Sequence, residues 1–449
     1  MRIKLGYTLN INVVAKFCKG MLLSKKNAKI NYISTDSREV KEGDLFFCLK
    51  GERYDGENFR NDAAKSGAFV VSKEKEENGI QVDSPELSLM YLAKEYIRNL
   101  PNLIFKIAIT GSVGKTTTKD FTAFLLSKKY KVHKTEGNKN NEIGVPLTLL
   151  SSPYDTEILC IEMGMNHPGE IKRMSECLLP DFGIITNIGT SHIGNLGSRE
   201  MIAKAKLEIL FGMNKDRLLV PYGEPLLEKL GDFKTFSTTD ENANFYLKEY
   251  PNGEIEIYRD NLLFCRSKLS LRGYHFKKCL IAASSLSVLC ELDSKSLSEQ
   301  ISKISNDNIR QKLIRLNKFY FYTDYYNSSP ESLRASYDAM RFIEIASRKS
   351  LVIGDIGELG DHTNEIHFMI GKEIPKDIFS HVFIFGKMAE TVKQGAIENG
   401  FSIDKIHINT DPQTPGITAS QIKEYCVSDE AILIKGSRMM CMERILDYF

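Results

Sequence analysis

The sequence predicts an α/β protein built from three domains. Short apolar runs rich in Ile, Val and Phe alternate with segments of helical periodicity, a pattern typical of parallel strands covered by helices. The chain is also long: 449 residues exceed the roughly 100–200 residues that one domain usually holds. Two separate series of apolar runs and a distinct N-terminal segment then give the three domains.

The first series of apolar runs lies in the middle of the chain and predicts buried parallel strands. These runs are LIFKIAIT (103–110), EILCIEMG (157–164), FGIITNI (182–188) and RLLVPYG (217–223). Two of the helical segments between them are TTTKDFTAFLLSKK (116–129) and SREMIAKAKLEILFGM (198–213), the second with Ser198 as the expected N-cap. Such an alternation places a ligand site at the carboxyl ends of the strands.

A second series near the end of the chain predicts a smaller, Rossmann-like domain. Its runs are SLVIGDI (350–356), HVFIFGK (381–387), KIHINT (405–410) and EAILIKGS (430–437). Before residue 103, the segment TDSREVKEGDLFFCLKG (35–51) marks a small N-terminal α/β domain. We therefore expect domains at residues 1–102, 103–309 and 310–449, with polar linkers at Arg98–Asn102 and Ser305–Asn308.

Composition and charge exclude several classes of function. A formal charge of +2 gives no sign of nucleic-acid or anionic-membrane binding. No segment approaches the ~20 apolar residues that span a bilayer, and no signal-peptide core is visible, so membrane insertion is not expected. The nine cysteines are odd in number and form no CxxC pair, as expected for reduced thiols in the cytoplasm.

The segment ITGSVGKTTTKD (109–120) joins a predicted strand to a predicted helix and ends in the Gly-Lys-Thr of a phosphate-binding loop. The usual first glycine would fall at Ile109, which we expect at the end of the buried strand. Lys115 would reach the β and γ phosphates, and the Thr116 hydroxyl would bind Mg²⁺. The alternative is a simple glycine-rich turn. The candidate ATP-binding residues here are Gly111, Ser112, Gly114, Lys115, Thr116 and Thr117.

The shortened loop TGSVGKTTT resembles the ATP-binding loop of the Mur ligases and their folylpolyglutamate synthetase relatives. Further stretches resemble Mur ligases in order along almost the whole chain: TDSREVKEGDLFFCLKGERYDGENF, TEGNKNNEIGVPLTLL, IEMGMNHPGEI, ITNIGTSHIGNLGS, AKAKLEIL, YYNSSPES, GDIGELG and KGSRMMCME. Of these, YYNSSPES and GDIGELG are similar to the branch of the family that adds a D-alanyl-D-alanine dipeptide.

The resemblance implies an ATP-dependent amide ligase that uses Mg²⁺. It would join D-Ala-D-Ala to UDP-N-acetylmuramoyl-tripeptide through an acyl phosphate, in cytoplasmic peptidoglycan precursor synthesis. The N-terminal domain would then bind the UDP-sugar, the central P-loop-type domain ATP, and the C-terminal domain the incoming dipeptide. A monomer is expected, with no nucleic-acid partner. The third residue of the tripeptide, diaminopimelate or lysine, is left open.

The resemblance also implies a set of catalytic and metal-binding residues. Glu162, directly after a strand, and His192 would contribute to Mg²⁺ sites together with Thr116. Lys206 matches the lysine that is carbamylated in the family and would help to position Mg²⁺ and substrate. From the residues alone, a surface glutamate, a structural histidine and solvated helix lysines are the alternatives. Lys115, Glu162, His192 and Lys206 are therefore the candidate catalytic residues.

Further contacts with ATP and with the two other substrates follow from the same resemblance. In TEGNKNNEIGVP, Asn138 and Asn141 would lie near the ATP phosphates, although a plain turn explains them equally well. The remaining candidates are Arg310, Asp324 and Asn327 for the nucleotide, Lys435 and Ser437 for the dipeptide, and Ser37 and Arg38 for the UDP group. For Ser37 and Arg38, a turn with an Asp36–Arg38 ion pair is the alternative.

One segment departs from the family. Relatives carry two asparagines at the start of a helix, one of which contacts adenine, whereas this chain has Phe276 and Cys279 at those positions. Cysteine lacks the paired donor and acceptor of an amide. The departure leaves two alternatives open: a diverged ligase with another amine or acyl acceptor, and a nucleotide-binding paralogue without catalysis.

Overall fold

Three β-sheets, each with its own helices, follow one another along the chain. The computed structural model describes residues 1–51, 54–305 and 311–449. The predicted α/β class with three sheet-containing regions is confirmed. The domain boundaries stay a prediction, and residues 306–308 of the expected second linker lie outside the described residues. In the part of the chain that is described, no helix combines the length and apolar character needed to cross a membrane.

The first unit is a six-stranded sheet with three helices. Its strands are β1 (Arg2–Asn10), β2 (Met21–Leu22), β3 (Lys29–Ser34), β4 (Leu45–Phe47), β5 (Phe69–Ser72) and β6 (Gly79–Gln81). Its helices are α1 (Ile11–Phe17), α2 (Arg60–Lys65) and α3 (Pro85–Arg98). The strand order is 1-3-4-5-6-2, with β3 to β6 parallel and the two edge strands antiparallel.

The central unit is a nine-stranded sheet. Its strands are β7 (Phe105–Thr110), β8 (Val132–Lys134), β9 (Ile158–Glu162), β10 (Phe182–Ile185), β11 (Leu218–Pro221), β12 (Lys234–Ser237), β13 (Phe245–Glu249), β14 (Glu254–Arg259) and β15 (Leu262–Lys268). Its helices are α4 (Lys115–Leu126), α5 (Gly144–Leu150), α6 (Glu170–Leu178), α7 (Ile193–Leu196), α8 (Arg199–Leu207), α9 (Pro225–Glu228), α10 (Tyr274–Leu289) and α11 (Ser294–Ile301).

In the central sheet, β7 lies between β9 and β10, and all three strands run parallel. The order from edge to edge is 8-9-7-10-11-12-13-14-15, and the last two strands form an antiparallel meander with β13. The carboxyl ends of β7, β9 and β10 therefore meet at one edge of the sheet, where ligands bind in open α/β folds.

The third unit is a six-stranded sheet with four helices. Its strands are β16 (Lys312–Leu316), β17 (Phe319–Thr323), β18 (Lys349–Gly354), β19 (Val382–Phe385), β20 (Ile406–Asn409) and β21 (Ala431–Lys435), and its helices are α12 (Pro330–Arg341), α13 (Thr363–Lys372), α14 (Ala389–Glu398) and α15 (Pro415–Tyr425). The order is 16-17-21-18-19-20, parallel except for the β16–β17 hairpin.

The eight apolar runs identified in the sequence form strands. Seven of them are largely buried on both faces of their sheets, whereas the edge strand β20 is buried only at Ile406 and Asn409. Ile109 is fully buried near the end of β7, as expected. Ser198 caps α8 by accepting a hydrogen bond from the amide of Met201. The predicted helix 198–213 is shorter than expected, since its last turn, Glu208–Gly212, is a 3₁₀ helix. The meander β13–β15, whose outer strand carries the exposed Leu262, was not predicted from the sequence.

Tyr96 on α3 connects the first unit to the central unit. Its buried hydroxyl accepts a hydrogen bond from the amide of Tyr7 at 2.7 Å and donates to the carbonyl of Ser152 at 3.4 Å. The ring stacks on Tyr7 with centroids 4.1 Å apart. Beside it, a Cβ on Gly6 would lie 1.7 Å from the Ser152 carbonyl oxygen, so the backbones of the two units are in direct contact. The relative placement of these two units is therefore fixed by packing.

The Tyr96→Phe variant removes the hydroxyl and leaves the buried amide of Tyr7 without its acceptor. We expect a loss of about 1–3 kcal/mol in the free energy of unfolding, measured by urea denaturation, and faster hydrogen exchange in β1. Tyr154→Phe is the matched control, because Tyr154 packs edge-on against Tyr7 but is half exposed. Equal effects of the two variants would contradict the role given to the Tyr96 hydroxyl.

Candidate functional site

The loop between β7 and α4 has the backbone geometry of a phosphate-binding loop. Gly111 and Gly114 have φ angles of +146° and +84°, which residues with a side chain rarely adopt. A Cβ on Gly111 would also lie 1.9 Å from the hydroxyl oxygen of Thr186. Because α4 begins at Lys115, its first amides point into the concavity of the loop, and this favours an anion.

The end of β10 holds this loop in shape. The side-chain oxygen of Asn187 accepts hydrogen bonds from the amides of Ser112 (3.1 Å) and Val113 (2.8 Å). The Thr186 hydroxyl donates to the Val113 carbonyl at 2.6 Å, and the amide of Gly189 donates to the Ser112 hydroxyl at 2.9 Å. Sequence reasoning missed Asn187, although it stands in the ITNIGTSHIGNLGS motif directly after the strand.

Lys115 lies across the loop. Its ammonium group donates to the carbonyls of Gly111 at 2.8 Å and Ser112 at 3.2 Å. Five of the predicted ATP-binding residues line a cavity of about 170 Å³ that we name the loop cavity: Ser112, Gly114, Lys115, Thr116 and Thr117. The sixth, Gly111, supplies the turn beneath it.

Glu162 meets the loop from the end of β9. Its carboxylate accepts a hydrogen bond from the Thr116 hydroxyl at 2.9 Å and another from the side-chain amide of Asn140 at 2.8 Å. Glu162 is 2% exposed and faces the loop cavity, so it is not a surface glutamate. The role of Asn140 was missed in favour of its neighbours, because spacing does not tell which asparagine of TEGNKNNEIGVP points inward.

The Thr116–Glu162 pair has the donor set that Mg²⁺ prefers, namely a hydroxyl and a carboxylate oxygen. Among the described residues, no group of three or more His, Cys, Asp and Glu side chains could hold a metal ion. Mg²⁺ usually keeps several water molecules and takes further ligands from substrate phosphates. The two protein oxygens next to a phosphate-binding loop therefore fit this ion.

Lys206 is buried within α8 at 2% exposure and is not a solvated helix lysine. Burial, reinforced by repulsion from Lys115, holds the pKa of Lys206 well below its ordinary value. Its neighbour Lys204, two residues earlier on the same helix, is exposed. Burial thus favours the neutral amine of Lys206, whereas Lys204 lies exposed on the surface of the same helix.

His192 lies at the start of α7 and contacts the third unit. Its Nδ1 is 2.5 Å from a carboxylate oxygen of Glu358, and this contact lowers the pKa of Glu358 although burial opposes the shift. The amide of Gly194 also donates to the Glu358 carbonyl at 3.0 Å. Nδ1 of His192 therefore points to Glu358, whereas Thr116 and Glu162 line the loop cavity.

A second, larger cavity of about 730 Å³, which we name the large cavity, opens beside the loop. Residues from all three units line it, including Lys50 and Glu86 from the first unit and Arg173 from the central unit. Several predicted site residues lie on its wall: Lys115, Asn138, Asn141, His192, Asn327 and Ser437. Asn141 also caps α5, because its side chain accepts from the amide of Gly144 at 2.8 Å.

Asp324 and Lys435 face each other in the third unit. The buried ammonium of Lys435 donates to the Asp324 carboxylate at 2.7 Å and to the Asn327 carbonyl at 3.1 Å. The other contacts of the Asp324 carboxylate come from the Ser336 hydroxyl and the side-chain amide of Gln311. Lys435, predicted as a dipeptide contact, thus lies on the loop cavity with the nucleotide candidates.

Ser328 lies where the two cavities meet. It is 7% exposed and lines both, and its hydroxyl has no hydrogen-bond partner among the described residues. The next residue, Ser329, caps α12 through a reciprocal bond with Ser332. Ser329 therefore starts a helix, whereas Ser328 offers a hydroxyl to a ligand.

Three predicted contacts lie away from both cavities or cannot be placed. Ser37 and Arg38 form a 3₁₀ turn in which Arg38 pairs with Asp36 through two bonds of 2.9 and 2.7 Å. Neither of these residues lines the loop cavity or the large cavity. This geometry agrees with the alternative given for Ser37 and Arg38, a turn with an Asp36–Arg38 ion pair. Arg310 lies outside the described residues.

The residues that replace the family's asparagines lie below the phosphate loop. Phe276 is buried and lines the loop cavity. Cys279 lines a further cavity of about 410 Å³, named here the side cavity, between the loop, α10 and α12. The sulfur of Cys279 is 3.9 Å from the Gly114 carbonyl oxygen and 3.7 Å from Nε2 of His275.

The sequence matches two family models, described as "Mur ligase middle domain" over residues 109–286 and "Mur ligase family, catalytic domain" over residues 29–101. The UDP-N-acetylmuramoyl-tripeptide–D-alanyl-D-alanine ligase of Bacillus subtilis (strain 168) is 35% identical over 451 residues, with 96% of each chain covered. The enzyme of the same name from Rickettsia prowazekii (strain Madrid E) is 30% identical, with 93% of this chain and 95% of the relative covered.

The fold is similar to solved structures of the same group. MurF from Acinetobacter baumannii has a TM-score of 0.86 at 25% identity, with 99% of both chains covered. MurF from Thermotoga maritima, solved in complex with ADP, has a TM-score of 0.77 at 27% identity, covering 93% of this chain and 96% of the other. With the family models, the relatives and the three-unit fold in agreement, the chain belongs to the Mur ligase family.

Proposed function

We propose that this protein is an ATP-dependent ligase that joins D-Ala-D-Ala to UDP-N-acetylmuramoyl-tripeptide in peptidoglycan precursor synthesis. The observation that carries the proposal is that the loop cavity and the large cavity meet at Lys115, Asn140 and Asn327. ATP on the loop as phosphoryl donor and a carboxylate in the large cavity as phosphoryl acceptor would thus lie side by side. The curated relatives at 35% and 30% identity carry the name of this activity.

The ligation reaction requires that the phosphoryl donor and the carboxylate lie next to each other. A carboxylate is unreactive toward amines, so the γ-phosphoryl group of ATP is first transferred to it, giving an acyl phosphate and ADP. The amine of the dipeptide then attacks the acyl carbon, and phosphate leaves. Because the transferring phosphoryl group is strongly anionic, positioning and charge neutralisation carry the catalysis. Lys115 and the first amides of α4 supply fixed positive charge and dipoles for this purpose.

Thr116 and Glu162 would hold Mg²⁺, which when bound neutralises phosphate charge. Asn140 keeps the Glu162 carboxylate turned toward Thr116 by donating to its other oxygen. His192 stays a proposed contributor to the metal region, and Glu358 fixes the orientation of its ring. In this role Glu358 is a positioning residue, because it acts through His192.

Lys206 would be carbamylated in the active protein. Its neutral amine adds to CO₂, forms an N–C bond and releases one proton, and the product is an anionic carbamate. Burial favours this reaction because it disfavours the ammonium form, which cannot act as the nucleophile. The negative carbamate would also offset the positive charge of Lys115, which otherwise repels a cation at this position.

The third unit would close over the nucleotide and receive the dipeptide. Among the contacts that join it to the central unit, the Glu331 carboxylate accepts from the amide and hydroxyl of Thr190, and Glu358 contacts His192 at the start of α7. Asp324 is oriented toward the loop cavity by Lys435 and would accept from ribose hydroxyls. Ser437, Asn327 and the open hydroxyl of Ser328 are proposed contacts for the substrates that meet there.

The first unit would hold the UDP-sugar end of the acceptor. Lys50 and Glu86 bring this unit to the wall of the large cavity. Ser37 and Arg38 stay proposed contacts of the UDP group beyond that cavity. We place the reaction in the cytoplasm, because all nine cysteines are free thiols, as in a reducing compartment.

A coupled assay tests the proposed reaction. We expect phosphate release only when UDP-N-acetylmuramoyl-tripeptide and D-Ala-D-Ala are both present with ATP and Mg²⁺, with mass spectrometry detecting the pentapeptide product. Parallel reactions contain lysine- and diaminopimelate-type tripeptides. Phosphate release with other amines but not with D-Ala-D-Ala would contradict the proposal and indicate a diverged ligase. ATP binding without turnover on any amine would indicate a nucleotide-binding paralogue.

The Lys206→Ala variant removes the amine that we expect to be carbamylated. Ligase activity should fall about 10–100-fold or more, and excess bicarbonate should not restore it. An independent readout is a ¹³C carbamate signal from wild-type protein in ¹³C-bicarbonate, which should decrease on acidification as the amine becomes protonated. Lys204→Ala, an exposed lysine on the same helix, is the matched control and should keep both signal and activity. A carbamate signal that survives in Lys206→Ala would disprove the assignment.

The Glu331→Ala variant removes the acceptor for the Thr190 amide and hydroxyl. A hydrogen bond to a charged group contributes about 1.5–3 kcal/mol, so the closed form should become roughly 10- to 100-fold less populated. Small-angle X-ray scattering should show a larger radius of gyration, and the KM for ATP should rise. The control is Glu365→Ala, which removes the same charge from an exposed position on α13. If the scattering of both variants equals that of wild type, the Glu331 contact does not hold the units together.

A further inference from the structure

Cys279 and His275 form a pair on α10 that the ligase reaction does not use. They are one helical turn apart, with Sγ of Cys279 3.7 Å from Nε2 of His275. Cys279 is 3% exposed. The pair sits directly below the phosphate loop, because a Cβ on Gly114 would lie 3.2 Å from the sulfur and 3.4 Å from the His275 ring.

This thiol differs from the other buried cysteines. Burial raises the pKa of seven buried cysteine thiols: Cys18, Cys48, Cys160, Cys177, Cys265, Cys290 and Cys426. Burial also opposes ionisation of Cys279, but the interactions with His275, Thr118 and Lys278 together lower the pKa of this thiol. Burial likewise opposes the charged form of His275, and the interactions with Cys279 and Asp324 together raise the pKa of this imidazole. The contact between Sγ and Nε2 and these two directions favour a more nucleophilic sulfur at Cys279 than at the seven other buried cysteines.

The side cavity gives small molecules access to the sulfur. Cys279 and His275 line this cavity of about 410 Å³, and Tyr274 and Arg334 at its rim are about half exposed. The charged groups that face the pair are Lys278 on the same helix, Glu331, Arg334 and Asp338 on α12, and Asp324 at the end of β17. Because positive and negative groups are mixed around the side cavity, it has no strong preference for ions of either sign. We therefore expect small neutral molecules to enter it.

We propose that Cys279 is a modification site, where a nucleophilic sulfur paired with His275 reacts with small hydroperoxides that enter through the side cavity. The sulfur attacks the hydroxyl oxygen of the hydroperoxide, so that an S–O bond forms and the O–O bond breaks. The leaving alkoxide takes the proton of the His275 imidazolium and departs as an alcohol, or as water from hydrogen peroxide. Cysteine is oxidised to a sulfenic acid, and the hydroperoxide is reduced.

Oxidation at this position is expected to hinder nucleotide binding, a consequence that rests on the proposed function. The sulfur lies 3.9 Å from the Gly114 carbonyl oxygen, so an added group has no room on the side of the loop. The added oxygen, or a thiol adduct that follows it, must project into the side cavity, which shares Val113, Gly114, His275 and Ala335 with the loop cavity. External thiols reverse the change: one displaces water to form a mixed disulfide, and a second releases the cysteine.

The test uses the full-length protein with Cys441→Ser, since Cys441 is the one partly exposed cysteine and lies outside the three cavities. Dilute hydrogen peroxide is added at pH 7 with dimedone, which traps sulfenic acids, and each cysteine peptide is followed by mass spectrometry. We expect Cys279 to be trapped at least about 10-fold faster than Cys160 or Cys290. Trapping of Cys279 no faster than these two would overturn the proposal.

The His275→Gln variant tests whether the reactivity of Cys279 depends on pairing with His275 or only on the access of peroxide to the sulfur. The trapping rate at pH 7 should fall about 10-fold or more, and its pH midpoint should move above about 8.5, the value of an ordinary thiol, because His275 no longer offsets the effect of burial. An unchanged rate and midpoint would overturn the pairing with His275. A Cys279→Ser variant should resist peroxide in an ATP-binding assay, whereas the parent loses binding and regains it with dithiothreitol.

The effect of ATP on the trapping of Cys279 distinguishes the modification-site proposal from the proposed ligase function. If ATP slows the trapping of Cys279, the nucleotide and the modified sulfur share a site. Trapping that is fast but insensitive to ATP would overturn the blocking of the nucleotide site and leave the thiolate in place. Slow trapping in a protein that binds ATP and makes product would overturn the modification site and leave the ligase function intact.

Discussion

The backbone pairing between β7 and β9 is the constraint on which the candidate site depends. Ile109 pairs with Glu162 in a parallel register, so the end of one strand delivers the phosphate loop where the other delivers a carboxylate. The hydrogen bond from Thr116 to Glu162 then needs no movement of either backbone. On the other side of β7, Asn187 follows β10 and shapes the loop. A register shift of one residue would turn the Glu162 side chain to the opposite face of the sheet.

The three units are joined in different ways. The first and central units meet through backbone contact at Gly6 and through the buried Tyr96 hydroxyl. The third unit meets the central unit through polar contacts of Glu331 and Glu358 with the loop 190–194, and the two backbones approach closely where Gly194 meets Gly360. The polar contacts are exchanged with water at modest cost, which suits a unit that opens and closes around a nucleotide.

Burial acts in two ways on the chemistry of the central unit. At Lys206 it lowers the pKa of the amine, and the positive charge of neighbouring Lys115 acts in the same direction. At Cys279 the interactions with His275, Thr118 and Lys278 oppose burial and lower the pKa of the thiol. The same apolar surroundings thus favour the neutral form at Lys206, whereas neighbouring groups shift Cys279 toward its anion.

The sequence by itself determined the α/β class, the eight principal strands, the phosphate loop and the family, because strand burial and loop chemistry are written in local residue patterns. It also indicated Glu162 and Lys206, although only through resemblance. Tertiary structure decided what local patterns do not contain: that Asn140, and not its neighbours, holds Glu162, and that Lys435 pairs with Asp324. It also decided that Cys279 meets His275 under the loop, because these contacts join side chains whose direction depends on packing between separate elements.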